Sequence, residues 1–143
     1  RAAYKSQEII VRNPYSIRPY QHVLEPLYVY LMIAKAQCEN IEFAGYYNVG
    51  PDECDCITTG DLVDLFCKEW GNGQAWKNVC NQGPHEAQFL KLDCSKLKNT
   101  FGWGPRWQIT EAVVKTVEWA KVYEQNDSIV DCMEKQIRLF MLG

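Results

Sequence analysis

The sequence predicts a small mixed α/β unit of short strands and four to five helices, with the fold class α/β. Three observations carry this. Apolar residues recur at helical spacing in several separate stretches, the strand-like runs between them are all short, and turn residues separate the two kinds of segment. The long, continuously apolar strands that a doubly wound sheet buries on both faces are missing. The chain has 143 residues, 47% of them hydrophobic and 23% charged, which suits one domain with a real core.

The elements follow in order. Glu8-Ile9-Ile10-Val11-Arg12 is a β-branched run closed by Asn13-Pro14, a strand and then a turn. Residues 21–38 read as a helix with an apolar stripe of Leu27, Tyr30, Leu31, Ala34 and Cys38. Pro26 is tolerated only in a first turn, so this helix starts near residues 22–25. Tyr46-Tyr47-Asn48-Val49 reads as a second strand, ended by Gly50-Pro51. Thr58-x-x-Asp61 resembles a capping box and opens a helix that carries Leu62, Leu65 and Phe66 inward, runs to Trp70 and stops at Gly71. Residues 75–80 and 89–92 are weaker strand candidates. Asp93 caps a short helix through Asn99, with Gly102 after it, and Trp103-Gly104-Pro105-Arg106-Trp107 forms a rigid loop. Thr110 caps a helix with the stripe Ala112, Val113, Val117 and Ala120, and a last helix from Ser128 presents Ile129, Met133, Ile137 and Phe140.

Several classes of function are excluded. A net charge of −3 gives no basic surface for nucleic acid or anionic lipid. No apolar run is long enough to span a bilayer, and the first residues lack the apolar region of a signal peptide. The chain begins Arg1-Ala2-Ala3-Tyr4-Lys5 without Met, which reads as a fragment. Its seven cysteines (Cys38, Cys54, Cys56, Cys67, Cys80, Cys94 and Cys132) are odd in number and scattered, the pattern of a reduced protein rather than a disulfide framework. No metal site is expected, because Cys54-x-Cys56 has no second ligand pair and neither His22 nor His85 is spaced to complete one. The acidic neighbours Asp52, Glu53 and Asp55 oppose a reactive thiolate at either cysteine. Asn126-Asp127-Ser128 matches a glycosylation sequon, a short match that needs a secretory context.

One segment points to a ligand. Arg12 and Arg18 flank the Asn13-Pro14 turn, and Arg18 precedes a helix start, where free N–H groups and a guanidinium fork together suit a phosphate. The competing reading pairs Arg18 with Glu25 at the surface. His22 opens that helix and reads as a structural hydrogen-bonding group, since no carboxylate partner is fixed by the sequence. His85 and Glu86, in Pro84-His85-Glu86-Ala87, could hydrogen-bond sugar hydroxyls or stand as an exposed polar loop. Gly71-Asn72-Gly73-Gln74-Ala75-Trp76 falls short of a dinucleotide fingerprint, lacking the third glycine and following a helix where a strand is required. No catalytic residue emerges.

Arg18-Pro19-Tyr20-Gln21-His22-Val23-Leu24-Glu25-Pro26-Leu27 resembles a run in CDP-glucose 4,6-dehydratases, members of the extended short-chain dehydrogenase/reductase superfamily. Ile10-Val11-Arg12-Asn13-Pro14, Tyr47-Asn48-Val49-Gly50-Pro51, Pro84-His85-Glu86-Ala87, Leu90-Lys91-Leu92-Asp93-Cys94-Ser95-Lys96, Gly102-Trp103-Gly104-Pro105-Arg106-Trp107 and Val117-Glu118-Trp119 extend the resemblance along nearly the whole chain. Pro19 stands where the wider superfamily has Asp, which favours the CDP-glucose branch, and Tyr20 replaces that branch's Trp. The resemblance implies that residues 1–143 are a C-terminal substrate-binding domain. NAD and the Tyr-x-x-x-Lys chemistry would then belong to an N-terminal Rossmann domain, and no Tyr-x-x-x-Lys occurs here. In the family, hydride passes from sugar C4 to the cofactor, water is lost across C5–C6, and hydride returns to C6. The resemblance puts Arg18 on the diphosphate of a CDP-sugar, Glu86 and His85 at the nucleotide, and Arg12 and Asn13 beside the strand that passes the base. It further implies a cytoplasmic enzyme, homodimeric at full length, with the fragment alone monomeric and inactive and with no nucleic-acid or membrane partner. The alternatives are an NDP-sugar epimerase or decarboxylase half on the same scaffold, and a stand-alone binding module.

Overall fold

A computed structural model describes residues 1–79 and 89–143. After a single 3-10 turn at Ala3–Lys5, the order is β1 (Ile9–Val11), β2 (Ile17–Pro19), α1 (Leu24–Glu39), β3 (Cys56–Thr58), α2 (Thr59–Trp70), β4 (Trp76–Asn78), α3 (Ser95–Phe101), α4 (Ile109–Glu124) and α5 (Ile129–Leu142), with further 3-10 turns at Ile41–Phe43 and Glu53–Asp55. The strands form two small ladders among the described residues. β1 pairs parallel with β4, Ile10 opposite Lys77. β2 pairs antiparallel with β3, Arg18 opposite Ile57. The class is the mixed α/β unit expected, with short strands and five helices among the described residues.

Local chemistry fixes most boundaries. Thr58 Oγ1 accepts from Asp61 N–H at 3.0 Å while an Asp61 carboxylate oxygen accepts from Thr58 N–H at 3.3 Å, the reciprocal capping box the spacing predicts. Gly71 ends α2 at φ +76°, a conformation glycine adopts without a Cβ clash. α3 runs to Phe101, two residues beyond expectation, and Gly102 closes it in the left-handed region. Pro26 sits in the first turn of α1, where it removes no helical hydrogen bond.

Two clusters form the core. Ala3, Trp70, Ile109, Val113, Val117 and Ala120 make one, with Leu62, Leu65 and Phe66 of α2 packed against it. Val29, Leu97 and Trp103 make the other, with Tyr47, Val49 and Phe101 around them. The stripe of α4 is buried as its spacing predicts.

Four expectations change. Residues 46–49 are extended but join no ladder. Their side chains hold them instead: Tyr47 Oη donates to Phe43 O at 2.9 Å, and Asn48 Nδ2 donates to Asp93 O at 3.0 Å. Residues 89–92 contribute only one isolated bridge, Phe89 beside Ile17. Thr110 does not cap α4. That helix begins at Ile109, whose N–H donates 3.1 Å to Oδ1 of the buried Asp55, a cap supplied from 54 residues away. Asp55→Ala is therefore expected to lower stability by about 1–2 kcal/mol in urea unfolding, the usual loss of a helix cap with a buried amide left unpaired. Finally, α1 and α5 are rotated from the stripes chosen above. α1 buries Glu25 and Val29 while Leu27, Tyr30, Leu31, Ala34 and Cys38 face outward, and α5 buries Cys132, Gln136 and Phe140 while Met133 and Ile137 are exposed.

Candidate functional site

The turn between β1 and β2 is fastened to the start of α2. Thr59 N–H donates to Ser16 O at 2.9 Å and Gly60 N–H to Pro14 O at 2.8 Å. Ser16 Oγ and Tyr20 Oη both bond Thr59 Oγ1, at 3.0 and 2.8 Å. A Cβ on residue 60 would lie 3.2 Å from Pro14 O, so the close approach relies on glycine. On this fixed turn Arg12 is exposed, while Asn13 and Arg18 are half-buried. Asn13 O accepts from Ser16 Oγ at 3.2 Å, and Arg18 Nη1 donates to Ile17 O at 2.9 Å.

The helix that follows does not offer the open amides the sequence suggested. Leu24 N–H donates to His22 Nδ1 at 3.3 Å, Glu25 N–H to His22 O at 3.0 Å and Leu27 N–H to Val23 O at 3.3 Å. Pro26 has no N–H. The first turn of α1 is thus internally satisfied, and positive charge for an anion has to come from side chains on the turn rather than from the helix end.

His22 is buried, its ring edge-on to Trp107 with centroids 4.9 Å apart. Burial, then the nearby Lys115 charge, hold its pKa below the ordinary histidine value, so it stays a neutral hydrogen-bonding group as the sequence suggested. Glu25 does not pair with Arg18 at the surface. It is fully buried, and its Oε1 accepts from Arg106 N–H at 2.9 Å and Trp107 N–H at 2.8 Å. Burial raises its pKa, against the lowering effect of those two amides and of the Arg106 charge. Arg106 itself lies over the Tyr28 ring at 4.6 Å and donates from Nη1 to Phe140 O at 2.9 Å. This joint ties α1, the 102–108 loop and α5 together. Sequence reading missed it; the available signal was a glutamate set between Leu24 and Pro26 in an otherwise apolar first turn.

His85 and Glu86 lie outside the described residues. On either side of that segment, Val79 N–H donates to Val11 O at 2.9 Å and Leu90 N–H to Ile17 O at 3.2 Å. The described chain therefore leaves beside the start of the Arg12–Arg18 turn and returns beside its end.

Other sequence candidates resolve differently. Gly71, Asn72 and Gly73 all have positive φ and close a helix, so they do not build the strand–turn–helix cradle that a dinucleotide requires. The Cys56 thiol is pushed up by burial and by Glu53 and Asp55, against Lys91. The six described cysteines are free thiols. Among the described residues no cluster of His, Cys, Asp and Glu could hold a metal ion, and no helix is long and apolar enough to cross a membrane.

Comparison with solved structures gives the fold first. The chain superposes on UDP-N-acetylglucosamine 4-epimerase from Bacillus cereus with a TM-score of 0.62, covering 82% of this chain and 39% of that one at 16% identity. The fold is therefore similar to part of that epimerase. The particular relative comes from sequence: the chain is 39% identical over 142 residues to the CDP-glucose 4,6-dehydratase of Salmonella typhimurium strain LT2. That match spans 99% of this chain and 40% of the relative, which bears out the resemblance carried by the motifs. No family model matches the chain.

Proposed function

We propose that this chain is the C-terminal, substrate-binding part of an NAD-dependent CDP-glucose 4,6-dehydratase, and that it holds the CDP-sugar while the rest of the polypeptide performs the chemistry. The observation that carries this is the alignment of nearly the whole chain with a dehydratase at 39% identity. The Arg18 run, read here as the diphosphate contact, follows directly on a turn bonded to α2. A fixed turn keeps a guanidinium in place without the entropy loss of ordering a loop on binding. In this reading Arg18 grips the diphosphate, Arg12 and Asn13 flank the base, and Glu86 and His85 reach the nucleotide. NAD binds the preceding domain, since Gly71–Gly73 does not fit it. The product is CDP-4-keto-6-deoxyglucose, the enzyme is a cytoplasmic homodimer, and this chain alone is monomeric and inactive.

Mass spectrometry of the full-length protein incubated with CDP-glucose and NAD tests the proposal. The expected result is a CDP-sugar lighter by one water, with no conversion by the 143-residue chain. Conversion to an isomer of unchanged mass assigns an epimerase instead, and an unaltered CDP-sugar removes the reading.

A further inference from the structure

The hydroxyls of Ser16, Thr59 and Tyr20 meet where the Arg12–Arg18 turn touches α2, and their contacts run in one direction. Ser16 Oγ donates to Asn13 O at 3.2 Å, and Thr59 Oγ1 donates to Ser16 O at 3.3 Å. Each hydroxyl has a single proton, so those of Ser16 and Thr59 are both committed. Thr59 Oγ1 lies 3.0 Å from Ser16 Oγ and 2.8 Å from Tyr20 Oη, so the proton of the shortest contact comes from Tyr20. The chain of donors runs from Tyr20 to Thr59, to Ser16 and on to the carbonyl of Asn13.

Tyr20 also holds the other end of the segment. Its N–H donates to Arg18 O at 3.1 Å. Pro19, opposite Cys56, has no N–H to give the ladder, so the end of β2 beside Arg18 lacks a donor. The register puts Ile17 opposite Thr58, so the Tyr20 side chain reaches back along the whole of β2 to bond Thr59. Arg18 lies between those two anchor points. The ring itself is seated against the core cluster of Ile109 and Val113, beside Leu62 and Phe66. Phenylalanine would fill that seat, and the near side of the turn is already fastened by the amides of Thr59 and Gly60. What the phenol adds is a fixed spacing between Asn13 and Arg18.

We infer that Tyr20 is a positioning residue of the CDP-sugar site. Its hydroxyl, relayed by Thr59 and Ser16, sets the Arg18 end of the turn against the Asn13 end, so that the guanidinium meets the diphosphate already aligned. The inference rests on the dehydratase reading above. A group that aligns a binding side chain in advance strengthens ground state and transition state alike, so its loss raises KM and spares kcat.

Steady-state kinetics of the full-length protein with CDP-glucose and NAD test this. Tyr20→Phe removes one hydrogen bond and is expected to raise KM about fivefold, with kcat within about twofold of wild type. Thr59→Val should raise KM by a similar factor, and Thr59→Ser, which keeps the hydroxyl, should restore it. In an Arg18→Ala background Tyr20→Phe should change KM by less than about twofold, because the side chain that it positions is gone. A general loosening of the fold would instead raise KM in both backgrounds and overturn the inference. An unchanged KM in Tyr20→Phe, or a kcat that falls as steeply as KM rises, also overturns it and leaves the wild-type dehydration of CDP-glucose standing. If wild type does not dehydrate CDP-glucose, the dehydratase reading fails first and takes this inference with it, so the two failures are told apart.

Discussion

Replacing Glu25 with leucine is expected to lower folding stability by about 2–4 kcal/mol, read as a shift in the urea midpoint followed by tryptophan fluorescence. The carboxylate is the acceptor for two part-buried amides, those of Arg106 and Trp107. Leucine fills the volume but strands both donors, at roughly 1–3 kcal/mol each. Part of that cost is returned, because Oε2 of Glu25 is itself buried without a partner among the described residues and its charge is poorly solvated. Glu25→Gln keeps an acceptor at the same place and is expected to cost about 1 kcal/mol or less. The pair also gives a pH test with a definite sign. Because burial raises the folded-state pKa of Glu25, its proton is bound more tightly in the folded chain. Its contribution is then fully present below the ordinary carboxylate pKa and is lost as pH rises through the raised value. The stability of wild type relative to Glu25→Gln should fall across that window. A difference that grows with pH instead would mean that the two amides outweigh burial.

What could be read from the sequence was what short-range chemistry decides. Thr58 and Asp61 find each other across three residues, Gly71 and Gly102 end helices by their own conformation, and Pro26 marks a first turn by what it lacks. The stripe of α4 was legible because its polar face carries charge, with Lys115 between Glu111 and Glu118. α1 and α5 defeated the same method. Each has apolar residues on more than one face, and periodicity cannot say which face meets this chain's core. On α1 one of the two fully buried positions went to Glu25, whose carboxylate accepts from a loop 81 residues away. On α5, Gln136 is buried because its amide reaches Lys115 O and Glu118 Oε2 on α4. Such long-range hydrogen bonds leave no local pattern, and neither does Asp55 capping α4. The same limit applied to the site. The turn carrying Arg12, Asn13 and Arg18 was visible as Asn13-Pro14 between short runs, but its attachment to Thr59 and Gly60 was not. The open amides expected beside Arg18 are absent because His22, just before α1, accepts the Leu24 N–H and Pro26, in its first turn, has none.

Arg18→Ala in the full-length protein is expected to weaken binding of a CDP-sugar by roughly 10- to 100-fold, equivalent to about 1.5–3 kcal/mol for charge-assisted hydrogen bonds to phosphate. With the α1 amides satisfied internally, no helix end shares the load, so the side chain carries the electrostatic attraction of this turn. The fold should tolerate the change. The backbone of Arg18 is held in β2 by its register with Ile57 and the turn by Thr59 and Gly60, so loss of the guanidinium's bond to Ile17 O leaves the ladder in place. Thermal unfolding of the free protein should therefore move little while affinity collapses, a split that separates a ligand contact from a structural role. Arg18→Lys should recover part of the affinity, since an ammonium keeps the charge but loses the planar fork that engages two phosphate oxygens at once. Salt gives the third reading: an exposed phosphate contact is screened, so wild-type affinity should fall with ionic strength more steeply than that of Arg18→Ala. Calorimetric titration at two salt concentrations measures all of this. An alanine variant that binds the CDP-sugar as tightly as wild type at both salts would remove Arg18 from the site and leave the turn as a structural corner.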